Sequence, residues 1–134
     1  MPAIRRAASR PVPEPVHSPA AQRTLTLALL KAAEFLDVSQ TSLAPILGVS
    51  PATVSRMTTG RYLLQPDRKE WQLAALFVRL FRSLDSITGG RDDLSRAWLH
   101  TENRALGGVP ASQLADISAL VRVVQYLDAS RAAV

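Results

Sequence analysis

The stretch Gln40 to Thr59, QTSLAPILGVSPATVSRMTT, constrains this chain more than any other. Leu43, Leu47, Val54 and Met57 recur at spacings of three and four inside two short runs, the pattern of two helices sharing a small core. Ala44 is small where two helix backbones must approach, and Gly48 supplies the positive φ that a tight turn needs, with Val49 plugging that turn. Ser50 followed by Pro51 reads as a helix start, because Ser caps free N–H groups and Pro at the first helical position loses nothing by lacking its own. With Val54 turned inward, the second helix faces outward with Ala52, Thr53, Ser55 and Arg56. Small and polar residues around one cation suit a helix entering a DNA major groove. Ser50, Ala52, Thr53, Ser55 and Arg56 are therefore the candidate DNA contacts, although the same spacing also occurs as plain helical packing.

Gln40, Ala44, Gly48, Val49, Val54 and Ser55 stand in the signature places of the Xre-type helix-turn-helix of bacterial and phage repressors, and the segment resembles that motif. The resemblance implies a further phosphate contact from Arg61, just past the second helix. Pro45 departs from the pattern, since proline inside a helix removes one hydrogen bond and crowds the carbonyl four residues back. Ser39 or Thr41 starts the first motif helix, and because of Pro45 it is expected either to start late, around Thr41 or Ser42, or to bend at Pro45.

Residues 1–21 hold five of the nine prolines and almost no large apolar side chain, so this stretch is expected to be a disordered, basic tail carrying Arg5, Arg6 and Arg10; His17 has no partner there. From Gln22 to Leu36 the residues Leu25, Leu29, Ala32, Ala33 and Leu36 predict a first helix, its stripe broadened by Leu27, Leu30 and Phe35. Asp67 and Glu70 read as a capping box for a long helix to about Ile87. That helix is apolar on more than one face, so a dimer partner or the C-terminal half must cover it. Thr88, Gly89 and Gly90 break the chain and divide a helix-turn-helix and dimerisation module, residues 22–88, from a C-terminal module, residues 89–134. There, Asp92 or Asp93 caps a short helix with Leu94, Ala97 and Trp98; Asn103 to Pro110 reads as a tight turn, a glycine pair and a Pro-started helix, followed by a final helix with Leu114, Ile117, Leu120, Val121, Val124 and Leu127 to about Ala129. No strand pattern occurs, and the fold class is all-α.

Within AWLHTENRALGGVPASQL, the run Trp98, Leu99, Asn103, Ala105, Leu106, Gly107, Gly108 and Pro110 resembles the C-terminal toxin-binding domain of the Xre/MbcA/ParS antitoxins. With the N-terminal module, the resemblance covers residues 23–130. It implies an antitoxin of a type II toxin-antitoxin system whose partner is a RES-domain toxin that consumes NAD or transfers ADP-ribose. It further implies repression of the protein's own operon, a homodimer within a larger complex, and inhibition by blocking the toxin's cleft with the C-terminal segment. Here that segment is YLDASRAAV, and Tyr126, Asp128, Ser130, Arg131 and Val134 are the candidate toxin contacts. The alternative from residues alone is a stand-alone phage-type repressor whose C-terminal half only dimerises.

Composition narrows the classes further. Residues 1–70 carry nine Lys or Arg against five acids and residues 71–134 seven against six, so positive charge goes with the helix-turn-helix half, as phosphate binding would use it. With no cysteine there are no thiolate nucleophiles or disulfides, which fits a reducing cytoplasm; no membrane span or secretory signal is present. His100 lacks an identifiable partner, and Asp92 and Asp93, adjacent in sequence, point apart. Neither an enzyme nor a metal or cofactor site is expected.

Overall fold

The computed structural model describes residues 18–133. Its helices are α1 (Pro19–Phe35), α2 (Gln40–Leu47), α3 (Pro51–Thr58), α4 (Lys69–Thr88), α5 (Asp92–His100), α6 (Pro110–Gln113) and α7 (Ile117–Ala133), with a 3-10 turn at Arg104–Leu106. No strand forms among the described residues, only one isolated bridge between Asn103 and Gly108. No described helix is long and apolar enough to cross a membrane.

Each helix of the central motif begins and ends as its residues dictate. The Ser39 hydroxyl accepts from Ser42 N–H and the Ser50 hydroxyl from Thr53 N–H, both at 3.1 Å. Between them Gly48 sits at φ 70°, and a side chain there would pay for the left-handed region although space is open to it. Pro45 lies inside α2, which is capped by Ser39 and starts at Gln40, not at the later Thr41 or Ser42. The carbonyl that Pro45 cannot bond belongs to Thr41, an exposed residue.

The chain also departs from expectation elsewhere, each time for a local reason. α1 begins at Pro19, because Ser18 caps it by accepting from Ala21 N–H, so residues 19–21 are helical; Arg5, Arg6, Arg10 and His17 lie outside the described residues. Leu27 is 62% exposed, and buried Thr26 takes the inner position beside Leu29. The Thr26 hydroxyl donates to the Gln22 carbonyl at 2.7 Å and accepts from Leu64 N–H at 3.0 Å, stitching the segment before α4 onto α1. Asp67 and Glu70 form no capping box: α4 is preceded by Arg68 without a side-chain cap, and Glu70 turns inward. Neither Asp92 nor Asp93 caps α5; both stand in its first turn after Arg91, with Asp93 paired to Arg91 at 2.9 Å. In α5 Ser95 and Leu99 are buried while Leu94 and Ala97 are exposed. The Pro110-started helix and the final helix form as two elements, α6 and α7, but Leu114 falls at the end of α6, Ile117 is exposed at the head of α7, and α7 runs past Ala129 to Ala133.

The long helix α4 organises the core. Its most extensive contact is with α7 and the next with α1. Phe77, Leu80 and Leu84 are fully buried together with Leu29 and Leu36 from the N-terminal half and Leu120 and Leu127 from the C-terminal half. Burying a side chain of this size contributes about 1.5–3 kcal/mol, so α7 is held as firmly as the motif helices are. The apolar breadth of α4, from which a dimer is expected, is thus covered within one chain.

Candidate functional site

On α3, Ala52, Ser55 and Arg56 are exposed and Thr53 is half-buried, while Val54 and Met57 close onto the core beneath them. Ser50, Thr53 and Arg56 are joined by hydrogen bonds: the two hydroxyls lie 3.0 Å apart and the Arg56 guanidinium donates to Thr53 Oγ1 at 3.2 Å. The guanidinium is thereby aimed along the outer face by a contact weak enough to exchange for a base or phosphate. After α3 the chain turns sharply, with Gly60 N–H on the Met57 carbonyl at 3.2 Å and Arg61 N–H on the Arg56 carbonyl at 2.8 Å. Arg61 therefore lies immediately beyond the helix end and is exposed.

The candidate DNA contacts picked from sequence thus share one surface, and two further cations join it. Arg68 and Lys69, at the head of α4, line one cleft of about 520 Å³ with Ser50, Thr53 and Arg56. The connection carrying Arg61 is fixed by Glu70, which is buried and accepts from the Tyr62 hydroxyl at 2.7 Å and from Gln65 N–H at 2.9 Å. Burial, then the hydrogen bond to Glu70, pushes the Tyr62 hydroxyl up to about 12. A dibasic pair just ahead of a Trp-led amphipathic helix is the sequence signal for this cluster.

The C-terminal candidates are not brought together in this way. The segment from Tyr126 onward is helical to Ala133 and docked, not a free tail: Leu127 is buried, and Asp128 accepts a 2.6 Å hydrogen bond from Ser83 and pairs with Arg79. The Ser83 bond, with Arg79 adding to it, holds the Asp128 carboxyl below its ordinary range against the opposing effect of burial. Tyr126 stacks on Trp98, ring centroids 6.2 Å apart, and its carbonyl accepts from the Ser130 hydroxyl. Arg131 is exposed one turn beyond Leu127, on the side facing α1 and α4. Five positions apart on a helix, Tyr126 and Arg131 point about 140° away from each other. Val134 lies outside the described residues.

Ahead of α7, Asn103 and Gly108 exchange backbone hydrogen bonds of 2.8 and 3.2 Å, and Gln113 Nε2 donates to the Leu106 carbonyl at 2.9 Å. Gly107, at φ 76°, ends the 3-10 turn between them. His100 is structural: its Nε2 donates to the Leu36 carbonyl at 2.9 Å, tying α5 to the end of α1. Among the described residues no cluster of His, Asp or Glu could hold a metal.

Residues 15–79 match the model of the antitoxin Xre-like helix-turn-helix domain, and residues 83–132 that of the antitoxin Xre/MbcA/ParS C-terminal toxin-binding domain. The chain belongs to the Xre/MbcA/ParS antitoxin family. This makes it an antitoxin of a toxin-antitoxin system. The antitoxin's fold is similar to that of a chain in the crystal structure of the M. tuberculosis MbcT-MbcA toxin-antitoxin complex, with a TM-score of 0.61 and 25% sequence identity over 82% of this chain and 96% of that one. No curated protein matches the antitoxin significantly. The two family domains meet inside α4, between residues 79 and 83, so one continuous helix belongs to both.

Proposed function

We propose that this antitoxin works through two surfaces, a DNA-reading face on α3 and a toxin-binding face built around the end of α7. The observation that carries this reading is the paired family match, helix-turn-helix followed by toxin-binding domain, on a chain whose α3 face is open to solvent. At the first surface Ser50, Ala52, Thr53, Ser55 and Arg56 meet base edges, and Arg61, with Arg68 and Lys69 beside it, meets phosphates, giving repression of the antitoxin's own operon as a homodimer. At the second surface the C-terminal segment blocks the cleft of a RES-fold, NAD-consuming toxin. Arg131 is its key cation, since a guanidinium pairs in bidentate fashion with an active-site carboxylate. Tyr126 and Ser130 border the same helix end. Asp128 serves there as the anchor of α7, its carboxylate already taken by Ser83 and Arg79.

Co-expression with the neighbouring gene tests this directly. The neighbour's product alone should arrest growth and lower cellular NAD, and the antitoxin should restore both and co-purify with it. A chain that neither binds nor rescues would remove the toxin assignment; failure to shift its own promoter DNA would remove the repressor assignment.

A further inference from the structure

One groove on the molecule belongs neither to the α3 face nor to the cleft beside it. Its floor is Ala21, Leu25 and Ala28 of α1 with Ala75 and Val78 of α4, Thr24 standing beside them, and it encloses about 640 Å³. Three guanidiniums stand on its rim, Arg79, Arg82 and Arg131. They share a single carboxylate: Arg79 pairs with Asp128, Arg131 acts on Asp128 only across space, and Arg82 enters no ion pair among the described residues. The rim is therefore short of negative charge while the floor is aliphatic.

That combination selects the occupant. A nucleic-acid strand would use the guanidiniums but leave the alkyl floor without a partner, Thr24 being the one hydroxyl among the lining residues. A second copy of this chain, with formal net charge +5, would bring arginines to arginines, and the chain's own residues 1–17 carry Arg5, Arg6 and Arg10 against Glu14. What fits is a segment with apolar side chains on one side and carboxylates on the other. We propose that the α1–α4 groove docks an acidic, amphipathic segment of the toxin, with carboxylates on Arg82 and Arg131. This rests on the toxin-binding reading above and extends it. Through Arg131 the groove joins the α7 end, so α1 and the first half of α4, inside the helix-turn-helix domain, also hold the toxin.

The test uses the full chain and the purified neighbour-encoded toxin. Arg82→Glu and, from the exposed floor position, Ala75→Trp should each weaken toxin binding by calorimetry about tenfold or more, with the Arg82→Glu loss shrinking at high salt. Arg82→Gln, the gentler change, should fall between them and wild type. Operator affinity should stay within a factor of about three, and amide exchange over Ala21 to Ala28 should slow in the complex. Unchanged toxin affinity in all three variants overturns the groove while leaving the antitoxin reading intact, whereas a wild type that does not bind toxin sinks both. Loss of operator binding would reassign the groove to nucleic acid, and loss of self-association would reassign it to a second copy.

Discussion

The Ser83 hydroxyl on α4, fully buried, donates a 2.6 Å hydrogen bond to the carboxylate of Asp128 on α7, 45 residues further along the chain. This bond and the Arg79 ion pair beside it fix the last turns of the molecule on the helix that both family domains share.

Replacing Ser83 by Ala should lower stability by about 1.5–3 kcal/mol, the range for a hydrogen bond to a charged group, measured by denaturant unfolding. The carboxyl of Asp128 is depressed below its ordinary 3.8, so its stabilising contribution is present above that value and lost as pH falls through the lower folded value. Unfolding followed down the acid range should show this loss in wild type and not in Asp128→Asn. Identical acid profiles would mean that the contact carries no net energy.

Tyr62→Phe removes the hydroxyl that Glu70 accepts and leaves a buried carboxylate one partner short. A loss of about 1–3 kcal/mol is expected, with weaker operator binding because the Arg61 connection loosens. The folded hydroxyl titrates at about 12 against an ordinary 10.0, so wild-type stability should fall as pH rises between these values, and Tyr62→Phe should lack that fall. Urea unfolding across the alkaline range decides it.

Arg56→Ala should weaken specific operator binding by about 1–3 kcal/mol if the guanidinium reads a base, and Arg61→Ala should weaken all duplexes alike with a shallower salt dependence. Gel shifts at several salt concentrations separate the two, and an Arg56→Ala protein equal to wild type throughout would remove Arg56 from the interface.

Deleting residues 131–134 should abolish rescue from the toxin and leave operator binding unchanged. The cut falls beyond Asp128, so the anchor to Ser83 survives and a loss of rescue cannot be laid to unfolding of α7. Full rescue by the shortened chain would exclude the cleft-blocking role of this segment.

The sequence carried the helix-turn-helix almost to the residue, because Ser39, Gly48, Ser50 and Pro51 act locally, through caps and a turn that need no distant partner. The all-α class and the Asn103 to Pro110 turn were legible on the same grounds. What escaped was decided at long range. Glu70 looks like a capping residue until Tyr62 and the Gln65 N–H fold over it, and Asp128 looks free until Ser83 arrives beneath it. Leu27, apolar and in phase with the broadened stripe, ends up in solvent because the buried hydroxyl of Thr26 takes the bond to Leu64 N–H. The dimerisation argument failed to distinguish an intermolecular cover for α4 from the one α7 supplies, since periodicity reports only that a face must be covered.

α4 carries about 21 Å of helix from Lys69, beside α3, to Ser83, under the Asp128 anchor. In the proposed two-surface reading, a strut of that kind sets a fixed stand-off, holding a toxin seated toward its far end at a set distance and angle from the duplex. The spacing of operator half-sites would then dictate how closely neighbouring toxins can be ranked along the DNA.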